Sequence, residues 1–100
     1  RRVFDYVDAN LDAALTIEDL AAVSGLSPYH FARMFRKSVG EAPHKFVLRR
    51  RIELAMTMLR SGQYAVAEIA HATGFSSQAH LTTRFRTMTG VTPAKYRDIS

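Results

Sequence analysis

The sequence predicts an all-α fold, and three observations carry that prediction. Apolar residues recur at helical spacing almost everywhere, and no stretch alternates as a half-buried strand does. Glycine and proline fall at intervals, as punctuation between helical segments. The second half of the chain restates the first. One hundred residues fit one domain, or two very small ones sharing a core. A chain this short buries only about 60–65% of its unfolded surface, which argues against a large cleft between domains. A hydrophobic content of 47% suits a packed interior and excludes a disordered tail. The absence of cysteine removes disulfides, thiolate metal sites and thiol catalysis together. No apolar run approaches the roughly 20 residues that cross a bilayer, and the opening Arg1-Arg2-Val3-Phe4-Asp5 carries no signal pattern.

The elements follow in order. A first helix is expected over about residues 2–10, with Val3, Phe4, Tyr6, Val7 and Leu11 on its apolar side. Thr16-Ile17-Glu18-Asp19 reads as a capping box that opens a short helix burying Ile17, Leu20, Ala21 and Val23. Gly25 ends it in the left-handed conformation. Ser27 caps the next helix and Pro28 suits its first position, where a missing N–H costs nothing. Phe31, Met34 and Phe35 are expected to face inward, and Gly40 stops the helix. Pro43 starts a long helix that Ser61-Gly62 ends. One apolar stripe on it holds Leu48, Ile52, Ala55, Met56 and Leu59, and a second holds Val47, Leu54 and Met58. So wide an apolar arc is buried on two sides and reads as a bridge between packed units.

Beyond the bridge the pattern repeats. Leu20 to Ser27 matches Ile69 to Ser76 at an offset of 49; Phe31, Phe35, Arg36, Gly40, Pro43, Lys45 and Phe46 match Leu81, Phe85, Arg86, Gly90, Pro93, Lys95 and Tyr96 at 50. One extra residue is expected at the start of the later helix of the second copy. Each copy is a short helix, a turn with glycine and a second helix with two apolar anchors. That is the helix-turn-helix layout, whose second helix enters the major groove of DNA. A bridge of about 18 residues rises roughly 27 Å, against a groove repeat of ~34 Å, so the two second helices are expected in adjacent groove segments. The second copy's short helix starts near Ala65-Val66-Ala67-Glu68 without a capping side chain. That lack is expected to cost about 1 kcal/mol and to leave the second unit looser.

Charge agrees with nucleic acid. The net charge is +5 and the pI about 10.1, values that suit DNA, an acidic partner or an anionic membrane. Residues 1–24 carry two basic against five acidic groups, whereas residues 28–60 carry eight basic against two acidic. The acidic start is expected to face away from DNA.

The run Gly25-Leu26-Ser27-Pro28-Tyr29-His30-Phe31 with Arg33 and Phe35 is specific in its spacing. So are Arg51-Ile52, Ala55, Leu59, Ile69-Ala70, Gly74-Phe75, Leu81, Phe85, Gly90 and Pro93. On these residues the chain resembles, over nearly all its length, the DNA-binding domain of the AraC/XylS family of bacterial transcription regulators. The resemblance implies an all-α domain of about seven helices, with two helix-turn-helix units joined by a long bridging helix. The units fall at about residues 1–42 and 62–100, with the bridge at 43–61 and recognition helices at 28–39 and 77–89. It implies sequence-specific binding of double-stranded promoter DNA, at an asymmetric site, in the bacterial cytoplasm. It also implies RNA polymerase as a partner, an effector bound by a domain absent from this chain, and a monomeric isolated domain. No cofactor, metal or membrane partner is implied.

The family analogy places base contacts at Tyr29, Ala32 and Arg33. Arg33 suits guanine O6 and N7, Tyr29 a thymine methyl or a phosphate, and Ala32 an apolar contact. For Arg33 the bland alternative is a solvated helix charge. In the second recognition helix Gln78, Ala79 and Thr83 take the base-facing positions, and Gln78 can pair with adenine. Thr83 stands where family members often have arginine, and Arg84 lies about 100° further round, placed for a phosphate or a salt bridge. Phosphate contacts are expected from Arg36, Lys37, Arg86, His30, Ser27, Ser77 and the helix start at Thr16. Of Arg49, Arg50 and Arg51, Arg50 is the one assigned to phosphate. At least one of the three is expected to pair with an acid such as Glu53 or Glu68, and a salt-bridged face competes with DNA contact here.

Other classes find less support. His30, His44, His71 and His80 lack metal-ligand spacing, and no nucleophile–base or paired-carboxylate set marks an enzyme. The main alternative is a helical protein–protein interaction module with a basic face for an acidic partner. A membrane-surface role for residues 44–60 explains their apolar arc less well than core burial does. An interaction module has no need of two groove-reading helices.

Overall fold

The computed structural model describes residues 2–100, and Arg1 lies outside them. Among the described residues the chain forms seven α-helices and no strand. They are α1 (Arg2–Ala9), α2 (Ile17–Ser24), α3 (Pro28–Val39), α4 (Pro43–Ser61), α5 (Val66–Ala72), α6 (Gln78–Thr89) and α7 (Pro93–Ile99). The chain divides into two compact units, one through Arg50 and one from Arg51 to Ser100. The boundary falls inside α4, which gives Pro43–Arg50 to the first unit and Arg51–Ser61 to the second.

Local chemistry sets most helix ends. Thr16 Oγ1 accepts the Asp19 N–H at 3.1 Å while the Asp19 carboxylate accepts the Thr16 N–H at 3.2 Å, closing the capping box on α2. Two orphan donors are thereby satisfied at one helix start. Gly25, at φ +73°, then reverses the chain, with the Leu26 N–H returning to the Ala21 carbonyl at 3.1 Å. The second copy closes the same way: Gly74 sits at φ +86° and the Phe75 N–H reaches the Ala70 carbonyl at 2.9 Å.

The extra residue of the second copy belongs to this turn and not to the helix after it. Ser27 and Ser77 are the N-caps of α3 and α6, and each accepts an N–H three residues on, from His30 and His80. The caps are therefore 50 apart while the turn glycines are 49 apart, which makes Ser76 the insertion. Two adjacent serines can each cap, so composition alone does not choose between them.

In the first unit Val7, Leu11, Leu20, Ala21, Phe31, Phe35, Phe46 and Val47 are buried. Phe4 packs its ring on Phe35 and Phe46, at 6.2 and 5.2 Å, although part of it stays exposed. Met34 departs from the inward expectation, since 55% of it is exposed. The half-buried Ala32 and Val39 show that the covered arc of α3 runs from Phe31 toward their side. Met34 lies about 60° the other way from Phe31 and falls outside it.

In the second unit Ile52, Ala55, Leu59, Ile69, Ala70, Phe75, Leu81 and Phe85 form the core, with Leu59, Ile69, Leu81 and Phe85 fully enclosed. Thr73 is also buried, and its hydroxyl donates to the Ile69 carbonyl at 2.7 Å. The α5 start lacks a capping side chain, as expected, because Ala65 holds the N-cap position. Its backbone is nonetheless served: Glu68 Oε1 accepts the Ala65 N–H at 2.8 Å. Half of a capping box therefore remains, and the half that a capping hydroxyl would supply is the one missing.

Candidate nucleic-acid interface

With 3.6 residues per turn, Tyr29, Arg33, Arg36 and Lys37 fall within about 100° of one another on α3, opposite Phe31 and Phe35. All four are exposed, and Tyr29 shows 67% of its surface. Two buried phenylalanines thus fix the roll of the helix and present this face to solvent. Tyr29 and Arg33 are not independent. Arg33 Nη1 donates to the Tyr29 hydroxyl at 3.1 Å, and its guanidinium carbon lies 5.6 Å from the ring centre. This coupling was not read from the sequence, although the spacing of four on one helix face is the signal that finds it.

Ala32 is placed differently from the solvent-side position expected of it. It is half-buried and lines an apolar depression with Leu20, Pro43 and Val47. A methyl group there is turned from the Arg33 face by about 100°.

On α6 the matching face carries Ala79, Thr83, Arg86 and Thr87, all exposed. Relative to α3 it has lost the tyrosine, one arginine and the lysine, and has kept one arginine. Gln78 is exposed at the helix start, and Arg84 is exposed on the flank that Met34 occupies in α3. The two histidines at the helix starts are held locally. His30 Nδ1 lies 3.0 Å from Ser27 Oγ. His80 Nδ1 accepts the Ser76 N–H at 3.4 Å, and the His80 ring stands edge-on to Phe75 at 5.2 Å.

The expected phosphate ligands divide into two groups. Arg36, Lys37 and Arg86 stand exposed in the last turns of their helices, while Ser27 and Ser77 are exposed caps. Thr16 is a poorer anion site than expected, because Glu18 and Asp19 already place negative charge in the first turn of α2 and Asp19 occupies the Thr16 N–H.

The arginine run is engaged within the fold. Arg49 Nε donates to Glu41 Oε2 at 3.1 Å, with its guanidinium over the Phe46 ring at 5.4 Å. Arg50 Nε donates to Asp8 Oδ1 at 3.0 Å, which ties the acidic start of the chain to the basic run. Burial pushes the Arg51 guanidinium below its ordinary value. The acids in these two pairs are Glu41 and Asp8, whereas Glu68 is spent on the α5 cap. Asp8 is 42 positions from Arg50, a partner that helical spacing does not reveal.

Similar sequences and a similar fold occur in known proteins. A family profile described as a helix-turn-helix domain matches residues 20–99. The multiple antibiotic resistance protein MarA of Salmonella typhimurium is 30% identical over 95 residues, which cover 95% of this chain and 75% of MarA. A putative AraC-like transcription regulator of Streptomyces lividans is 38% identical over 82 residues, 82% of this chain and 27% of that protein. The chain likewise spans 38% of the length of the probable transcriptional regulator LumQ of Photobacterium leiognathi. Among solved structures, the DNA-binding domain of the transcriptional factor AdpA, in complex with a target DNA, superposes with a TM-score of 0.92. That match has 33% identity and covers 97% of this chain and 87% of the other.

Proposed function

We propose, for a chain that belongs to the AraC family of helix-turn-helix transcription regulators, that it binds double-stranded DNA in a sequence-specific way. The observation that carries this reading is the doubled unit: α3 and α6 each stand on two buried anchors with the opposite face exposed. Each helix enters a major-groove segment, the two segments being adjacent on the duplex. Arg33 reads guanine and Tyr29 adds apolar contact, with Ala32, half-buried and turned from that face, ranking below them; Gln78, Ala79 and Thr83 form the weaker reading face of the second unit. Arg36, Lys37, Arg86 and Arg84 meet phosphates, helped by the caps Ser27 and Ser77 and by His30. Thr16 and Arg50 rank lowest in this set, given Asp19 and Asp8 beside them.

A regulator longer than this chain is part of the same proposal, supported by relatives of which the chain spans only a fraction. So are an effector bound elsewhere in that regulator, contact with RNA polymerase, and a bacterial cytoplasmic setting. Salt titration tests the central claim. Binding of duplex DNA falls linearly in log–log form with salt, at a slope near −0.9 for each phosphate neutralised. A flat response, or no duplex recovered from a random-sequence selection, refutes it.

A further inference from the structure

Tyr29 and Arg33 lie one turn apart on α3, both exposed, so their contact supports no part of the core. An unrestrained arginine samples many rotamers, and fixing one of them on a base costs binding free energy. Here the guanidinium is held twice, by the phenol oxygen at 3.1 Å and by the ring face at 5.6 Å. The partner is a phenol and not a carboxylate, so the cation keeps its full charge for DNA. The contact engages Nη1, and the edge formed by Nε–H and Nη2–H stays available as a two-pronged donor.

The internal repeat supplies an independent observation. Fifty residues on, the counterparts of Tyr29 and Arg33 are Ala79 and Thr83, whereas the counterpart of Arg36 is Arg86. The second copy lacks both members of the pair, and the lysine of position 37 with them, and keeps the cation that matches Arg36. Neither member of the pair occurs there without the other.

We propose that Tyr29 is a positioning residue that presents the Arg33 guanidinium edge to guanine O6 and N7 of a G·C pair in the major groove. Base discrimination by the first unit then belongs to the pair and not to Arg33 alone. This rests on the reading of Arg33 as a base contact.

The test is a double-mutant cycle on the 100-residue chain, using a site recovered by selection from random duplexes and all single-base variants of it, at one salt concentration. Arg33→Ala removes about 10-fold preference for guanine at one position, within the range of a bidentate contact. Tyr29→Phe keeps the ring and deletes only the acceptor. It lowers the same preference at the same position about threefold, the scale of a single hydrogen bond. It has no further effect on base preference in the Arg33→Ala background. Both positions are exposed, so thermal melts of the variants match the parent. If Arg33→Ala relaxes the preference and Tyr29→Phe does not, the positioning role is wrong while Arg33 still reads the base. If Arg33→Ala leaves every preference intact, both readings fall. A Tyr29→Phe loss that persists without Arg33 makes Tyr29 a separate contact and overturns the pairing.

Discussion

Arg33 and Arg36 share a helix face, and the proposed function gives them different parts of the DNA. Arg33 is tethered to Tyr29 and offers a planar edge, whereas Arg36 stands exposed in the last turn of α3. A phosphate contact carries no sequence information. Arg36→Ala therefore weakens binding to all duplexes alike and reduces the magnitude of the salt slope by about one. Titrations of cognate and scrambled duplexes at several salt concentrations check both effects. Residue type and helical spacing were enough to place these two arginines on the exposed face of α3. They were not enough for Ala32 and Met34, whose burial depends on how far the covered arc of α3 extends past Phe31 and Phe35. That extent is set by the packing of neighbouring helices, which one helix's spacing does not contain.

At the level of elements, the helix ends were legible because their causes are local. Thr16, Ser27, Gly25 and Gly40 act within four residues of where they stand. The start of α5 was legible for the same reason, as a missing cap, and only the Glu68 contact softens it. Its backbone, at φ −69° and ψ 152°, already has the extended conformation of an N-cap. Ala65→Ser is accordingly expected to complete the capping box and stabilise the chain by about 1 kcal/mol. That corresponds to a rise in melting temperature of about 4–8 °C for a domain of this size. A thermal melt followed by circular dichroism measures it, and DNA affinity stays unchanged. The partners of Arg49 and Arg50 were not legible at this scale. Glu41 precedes α4, eight positions before Arg49, and Asp8 lies on α1, so neither pair follows the three- or four-residue spacing of one helix.

Over the whole chain, whose charge is +5, the exposed face of α3 is strongly cationic and that of α6 mildly so. The fold was legible almost entirely, since the repeat shows where each unit's anchors lie. Its two faces differ by named side chains, and the difference can be reversed. Ala79→Tyr together with Thr83→Arg is expected to give the second unit a guanine preference at a new site position, larger than Thr83→Arg gives alone. Repeating the random-duplex selection with both variants measures this.

The position of Ser76 has a consequence for such exchanges. Because the insertion precedes the Ser77 cap, every residue from Gln78 to Thr89 keeps a fixed phase with its partner from Pro28 to Val39. Leu81 and Phe85 are the buried anchors of α6 at the positions that Phe31 and Phe35 hold in α3. An exchange of exposed residues between α3 and α6 therefore keeps each one in phase with its buried anchors, which differ only as Phe31 against Leu81. On the proposed function, a chain carrying the exposed residues of α3 on both helices is expected to select one short DNA word written twice, whereas the unlike pair present here is expected to bind its duplex in a single direction.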